Sequence, residues 1–413
     1  MEAVAPPAST LAAPVPAAIQ TGPAARPRGT ALILAGILLV ALNLRVAITS
    51  LGALLEEVRT GLHLSGAMAG VVTTMPTIAF AAFGALAPWL VRRFTAGRIV
   101  LAAMVALLAG EAVRVATGST VVFIATSAVA LAGIAVANIL LPLLVRQHFP
   151  HRTGLVTGAY TVSLTIGASV AAASAVPIAD AFGSWRAGLG AWSLLAVIAM
   201  LPWLPAVFRR RTTQAAVAPL AARVRPARTR VGWAMAIYFG AQALSGHATM
   251  GWLAQLFRDS GYRPQTAGLL LAGVTAVGIP VALVMPALAM RLNNLRPLVL
   301  GLSATMIASY VGLAIAPHDG AVVWVVLLSI GQGAFPLALV AIGLRARTPE
   351  GTVALSAFTQ CLGYLIAALG PLVVGALYEL TGGWNLPLGF LIGAAVVQIV
   401  AGLAVARPRF VED

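Results

Sequence analysis

The stretch "ALILAGILLVALNLRVAITSLGALL", residues 31–55, carries one charged residue, Arg45, in an otherwise apolar text of Ala, Leu, Ile, Val and Gly with a few small polar residues. A helix rises about 1.5 Å per residue, so a run of roughly 20 apolar residues crosses a hydrocarbon layer of about 30 Å. This run is long enough, and the rest of the chain resembles it. The 413 residues are 60% hydrophobic and only 9% charged, with a mean hydropathy of +0.96. A soluble domain is nearer a quarter charged. So few charges cannot cover a water-facing surface, and the chain is read as an all-α integral membrane protein with lipid as its main solvent.

Further runs of this kind place twelve spans. Six lie at about 30–55, 67–91, 98–116, 120–146, 153–179 and 186–208, and six at about 232–257, 266–290, 296–316, 320–345, 351–378 and 384–406. Residues 1–29, rich in Ala and Pro, read as a disordered tail without a signal peptide. Residues 209–231 form a basic linker and 407–413 a C-terminal tail, so the halves are 30–208 and 232–406. All 26 basic residues are Arg, for a net charge of +15. Twenty of them lie in the tails, the linker and alternate loops, against five (Arg59, Arg114, Arg186, Arg258 and Arg263) on the other side. By the positive-inside rule both termini and the linker are cytoplasmic, in a cell inner membrane. The arginines form no stripe with interleaved aromatics, so the charge reports topology and no nucleic-acid partner is expected. The single Cys361 excludes an intrachain disulfide and reads as a buried bystander.

The halves repeat one another. "EEVRTGLHLSGAMAG" (56–70) aligns with "AQLFRDSGYRPQTAG" (254–268), allowing one gap, and pairs Arg59 with Arg258. "GAYTVSLTIGA" (158–168) aligns with "SAFTQCLGYLI" (356–366). Asp180 precedes Trp185 as Glu379 precedes Trp384, and Asn43 stands before Arg59 as Gln242 stands before Arg258. Two six-span halves of the same orientation are the sequence form of a parallel repeat, which can rock about a central site.

Arg45 lies midway along its span, too deep to snorkel. Such a residue faces a wet cavity or bonds neighbouring helices. Its planar fork suits a small anion or polar planar group. Asn43, Asn138, Gln242, Gln332, Gln360, Tyr160 and Tyr364 also lie inside spans, as cavity lining or interhelical glue. His247, near the middle of the seventh span, is a substrate contact, a proton carrier or a packing residue. Among the 11 acids only Glu111 is intramembrane, with Arg114 three residues on and on the same face. Glu111 is therefore a structural ion pair or, with His247, a proton-coupling candidate. No GxxxxGK[ST] loop, HExxH or Cys/His cluster occurs, so neither ATP, a metal nor another cofactor is expected.

Four stretches carry a family resemblance: "NLRVAITSLGALL" (43–55), "GIAVANILLPLLVRQHFPHRTGLVTGAYT" (133–161), "GWLAQLFRDSGY" (251–262) and "TGGWNLPL" (381–388). The twelve-span parallel repeat resembles the major facilitator superfamily. Within it these motifs are similar to the cyanate/2-nitroimidazole transporter family (CynX/NimT), from about residue 30 to 406. Where the superfamily carries an acidic signature between its second and third helices, this chain reads "GALAPWLVRRFTAGR" (84–98), with Pro88 at the usual Asp and Pro286 at the matching place in the second half.

The resemblance implies that spans one, four, seven and ten line the cavity, bringing Asn43, Arg45, Asn138, Gln242, His247 and Gln332 together, and that the protein is a monomer carrying small polar or anionic compounds. A secondary transporter of a cyanate-like anion is the first expectation, and an exporter of a neutral heterocycle such as a nitroimidazole the second. An embedded enzyme would cluster acids, His or a metal set at one depth, and a sensor would need a soluble output domain. The chain shows neither.

Overall fold

A computed structural model describes residues 27–205, 225–292 and 294–413. The tail before Pro27 and most of the basic linker lie outside the described residues. Within them the chain is helical, with no strand.

The first half comprises α1 (Pro27–Ala53), the short α2 (Leu55–Leu62), α3 (Gly66–Arg93), α4 (Ala96–Ala116), α5 (Thr120–His148), α6 (Thr153–Ala181), α7 (Trp185–Gly190) and α8 (Ser193–Met200). The second comprises α9 (Arg230–Asp259), α10 (Pro264–Arg291), α11 (Arg296–Ile315), α12 (Ala321–Gly331), α13 (Ala334–Leu344), α14 (Pro349–Thr381) and α15 (Asn385–Val405). Helix starts carry their expected caps. Ser65 Oγ accepts from Met68 N–H, and Thr348 Oγ1 accepts from Gly351 N–H. Among the described residues eleven spans are long and apolar enough to cross a membrane, α7–α8 and α12–α13 each counting as one broken span. The twelfth is α9, 30 residues long. Its hydropathy is diluted by Gln242, Ser245, His247 and Thr249, all buried against protein instead of lipid. Elsewhere the lipid-facing surface is apolar, with Val121, Ile315 and Val400 at least 66% exposed. In water such a surface would aggregate.

The repeat is visible in the packing. α1 packs on α6 as α9 packs on α14, and α4 packs on α5 as α11 packs on α12. Gly183 and Gly382, at matching places before Trp185 and Trp384, both turn the chain with positive φ, +62° and +63°. Glycine takes that conformation without steric cost.

The halves meet along α1–α9, α3–α14 and α6–α10. We call the end that bears Arg93, Arg98, Arg152, Arg291, Arg296, Arg345 and Arg347 the basic face, and the opposite end the far face. Several contacts between halves lie from mid-depth to the far face. Gly52 meets the Met250 carbonyl so closely that a Cβ would collide with it, and a Cβ on Gly268 would stand 2.6 Å from the Ala172 oxygen. Glu379 accepts from the Ala67 N–H at 2.7 Å, and Asp180 accepts from Gln265 Nε2 at 2.6 Å. These matched acids each reach the first turn of a helix in the other half, where a negative charge is favoured. Ser169 and Thr275 share a hydrogen bond at 2.6 Å. The Arg258 guanidinium grips both carboxylate oxygens of Glu57. The far side of the seam is closed.

The cysteine expectation is corrected. Cys361 is exposed, on the same outward stripe of α14 as Val353, Leu365 and Leu369. Positions four apart share a helix face, and this one faces the lipid.

Candidate functional site

Arg45 is half-buried in α1, at the seam. Its Nη1 donates to Met250 Sδ of α9 at 3.1 Å. A thioether is a weak acceptor, and no carboxylate pairs with Arg45 among the described residues. Its charge acts on both His247 and Tyr364, which are close by. The guanidinium is thus pinned at one atom, and most of its donors remain available.

Around it stands an aromatic wall drawn from both halves. Phe80 of α3 lies 5.3 Å from Tyr364 of α14 and 6.4 Å, edge-on, from His247 of α9, ring centre to ring centre. Tyr364 also meets Phe239 edge-to-face at 5.3 Å. Such geometries are those that aromatic quadrupoles favour. His247 is 6% exposed. Its Nδ1 lies 2.8 Å from the Ala243 carbonyl, which can only accept, so Nδ1 carries a proton. Nε2 is buried with no partner in the described residues. A neutral His247 therefore presents an open acceptor beside the Arg45 cation.

A second polar locus is the pair Gln242 and Gln332. Gln242 Nε2 donates to Gln332 Oε1 at 2.6 Å, leaving Gln242 Oε1 and Gln332 Nε2 buried without partners. Gln332 sits where the tenth span breaks, between α12 and α13. The sequence reading ran that span unbroken. Gln332 and Gly333 interrupt it, and the flanking glycines of Gly331-Gln332-Gly333 are the signal that was available.

Arg45, His247 and Tyr364 are brought together. The other expected residues are placed differently. The Asn43 amide donates to the carbonyls of Leu39 at 2.9 Å and Leu195 of α8 at 3.4 Å. Two residues from Arg45 is about 200° around a helix, so Asn43 ties α1 to α8. Gln360 donates to Ser356 Oγ at 2.8 Å, one turn along α14 from Tyr364. Tyr160 is half-buried and packs on the hydrophobic cluster that contains Phe80. Asn138 is half-buried, with no hydrogen bond from its side chain among the described residues. Glu111 lies apart from Arg45, beside Arg114, both 1% exposed. Met250, Phe80 and Phe239 also build the site but carry no sequence signal, because one more Met or Phe inside an apolar span is unremarked.

Among the described residues no group of His, Cys, Asp and Glu could hold a metal. What the arrangement offers is one fixed cation, one open acceptor and aromatic walls.

Comparison with known proteins bears on the family. The Major Facilitator Superfamily signature matches residues 33–371. The chain is 33% identical to the uncharacterized transporter YycB of Bacillus subtilis, over 92% of this chain and 94% of that one. It is 30% identical to the 2-nitroimidazole transporter of Escherichia coli, over 92% and 96%. With the cyanate transport protein CynX of Escherichia coli the identity is 26%, over 91% and 97%. In fold it resembles a bacterial homologue of the human lysosomal transporter Spinster in an inward-facing, occupied state, with a TM-score of 0.71 at 16% identity over 92% and 94% of the two chains. The chain therefore belongs to the Major Facilitator Superfamily, and within it to the family of the 2-nitroimidazole and cyanate transporters.

Proposed function

We propose that this transporter carries a small, planar anion across the cytoplasmic membrane by alternating access, working as a monomer with both termini inside. The observation that carries the reading is Arg45: a mid-membrane cation whose one hydrogen bond among the described residues goes to Met250 Sδ, with His247 and Tyr364 close by. A cation at this depth costs several kcal/mol unless something compensates it, and an anionic cargo supplies that compensation when bound. The arginine distribution supports a cytoplasmic basic face. With the far side closed, the state described here is then inward-facing.

One elementary charge crossing 100 mV is worth about 2.3 kcal/mol. Import of an anion against an interior-negative potential therefore needs a coupled proton or an exchanged anion, whereas export does not. His247 and Glu111 are the residues that could carry such a proton.

A second reading, export of a neutral heterocycle, is favoured by the wall of Phe80, Tyr364 and Phe239 and by the open acceptor on His247, which suits an azole N–H.

Proteoliposome flux separates the two. Cyanate, nitrite and short carboxylates are compared with neutral 2-nitroimidazole under imposed potential and pH gradients, in wild type and Arg45→Gln. Anion flux that follows the gradients and is lost in Arg45→Gln supports the first reading. Flux of the neutral compound alone moves the assignment to the second. Anion flux that survives Arg45→Gln makes Arg45 a structural bond.

A further inference from the structure

Arg114, in the last turn of α4, is a second buried guanidinium, 1% exposed. Its nearest carboxylate oxygen, Glu111 Oε1, stands 3.9 Å from Nη2, beyond hydrogen-bond reach. Nε and Nη2 of Arg114, and Oε2 of Glu111, have no hydrogen-bond partner among the described residues. A buried charge left this poorly bonded is expensive, so packing alone is a weak reason for the arrangement.

The guanidinium borders a cavity at the seam between the halves, shared with Leu51 of α1, Thr73 of α3, Ser127 of α5 and Gly251 of α9. The Ser127 hydroxyl is itself 1% exposed and unpartnered. The cavity adjoins the place where Gly52 presses on Met250 and Gly251. Leu51 stands six residues beyond Arg45 toward the far face, about 9 Å along the helix. Arg45 and the cavity at Arg114 therefore follow one another along one seam, next to the Met250–Gly251 crossing.

We propose that Arg114 and Ser127 form a second anion station on the transport path, taking a small monovalent anion when the α1–α9 crossing opens, with Glu111 as the competing resident counter-charge. This rests on the reading that the cargo is an anion, and the test below separates the two. An anion and an ionised Glu111 on one guanidinium would leave a net negative charge in a buried site, which is strongly disfavoured. Protonation of Glu111 removes the competitor, so the station takes up anion and proton together.

The neighbouring groups leave few other sources of pH dependence. α3 and α5 present the neutral Thr73 and Ser127 to this cavity. α1 contributes Arg45. α7 contributes Arg186, whose Nη2 donates to the Thr117 carbonyl one turn beyond Arg114. Both arginines stay charged at any working pH. α9 contributes His247, one turn before Gly251, and His247→Gln is the control for it.

The test is nitrite binding by isothermal titration to the purified full-length protein, with Arg45→Gln as the background in which the first anchor is removed. The expected result is one retained site, at least about tenfold tighter at about pH 5.5 than at about pH 8, since affinity coupled to one proton changes about tenfold per pH unit. Adding Glu111→Gln should make binding tight at both values, and His247→Gln should leave the pH dependence in place. Ser127→Ala, close in volume and lacking the hydroxyl, should weaken the site about fivefold or more with little change in the thermal transition. It keeps the test valid even where Arg114→Gln fails to fold. No nitrite bound by Arg45→Gln/Glu111→Gln, or binding there indifferent to Ser127→Ala, overturns the proposal and leaves Glu111–Arg114 as a structural pair. A site that persists in Arg45→Gln, with no Arg45-dependent binding in wild type, would instead refute the Arg45 anchor and leave the station standing.

Discussion

Breaking the Glu57–Arg258 pair should open the far side. The contact is bidentate, with Nη1 to Oε2 at 2.9 Å, and the side chains are 11% exposed for Arg258 and 32% for Glu57. Fully exposed pairs are worth about 0.2–1 kcal/mol, and breaking a buried one costs about 3–5 kcal/mol. With one partner a third exposed, screening puts this pair near the low end, at about 1–2 kcal/mol. That shifts the ratio of far-side-open to far-side-closed molecules about 5- to 30-fold. Glu57→Gln should act at least as strongly as Arg258→Gln, because it strands the more buried charge. Spin labels on Ser119→Cys and Asp319→Cys, both at exposed far-face positions of opposite halves, in a Cys361→Ser background would read the change as a longer-distance population. A distance distribution unchanged in both single variants and in the double variant would refute the reasoning. The pair would then be surface decoration.

Other consequences follow from single contacts. Gly52→Ala drives a methyl into the Met250 carbonyl; overpacking of this kind costs about 1–3 kcal/mol, so the same labels should report a far side that closes less and flux should fall. Cys361 should react with a membrane-permeant maleimide but not with a charged one, and Cys361→Ala should change the melting free energy by less than about 0.5 kcal/mol. The Arg345 guanidinium donates to the carbonyls of Val405 and Ala406, at the end of α15, so Arg345→Ala should cost about 1 kcal/mol in thermal unfolding. For Glu412, burial raises the carboxyl pKa, but hydrogen bonds from the Arg347 and Thr348 N–H groups and the Thr348 hydroxyl outweigh it and hold it below the ordinary 4.5. A depressed pKa contributes stability above the unfolded value that is lost as pH falls through the folded one. Carboxypeptidase trimming of the tail should therefore accelerate below pH 4.5 in wild type, and Glu412→Gln should be trimmed faster at neutral pH, with a smaller change on acidification.

The fold was legible because its signals are long and repeated. Apolar runs mark the spans, and the paired turns before Trp185 and Trp384 reappear as Gly183 and Gly382 in the same left-handed conformation. The site was legible where it uses charge. Arg45 and His247 are conspicuous in apolar spans because of what they cost there. It was illegible where it uses shape: Phe80 and Met250 matter through position across the seam, and nothing in an apolar span distinguishes them. Asn43 shows the opposite failure. A polar residue two positions from the anchor shares its depth but not its face, and depth alone says nothing of direction.

The repeat also separates two tasks within the molecule. Part of the closure is built from matched parts: Asp180 and Glu379 each reach a helix start in the opposite half, and Gly52 and Gly251 meet where α1 crosses α9, whereas the Glu57–Arg258 pair has no counterpart, because Leu256 stands at the place matching Glu57. Rocking two equivalent bundles requires such matching, since each must seat against the other in the same way. The proposed binding site is built from mismatched parts. The place in the second half that corresponds to Arg45 is Leu244, and the place in the first half that corresponds to His247 is Ile48. A symmetric pair of arginines would double the buried charge, and one small anion could compensate only one of them. In the proposed function, a single cation facing a neutral acceptor and an aromatic wall instead gives the cargo one orientation, which the closing contacts can expose to either side. Each closing contact is individually modest, so the closed state is reversible, and differential cargo affinity of a few kcal/mol suffices to move it.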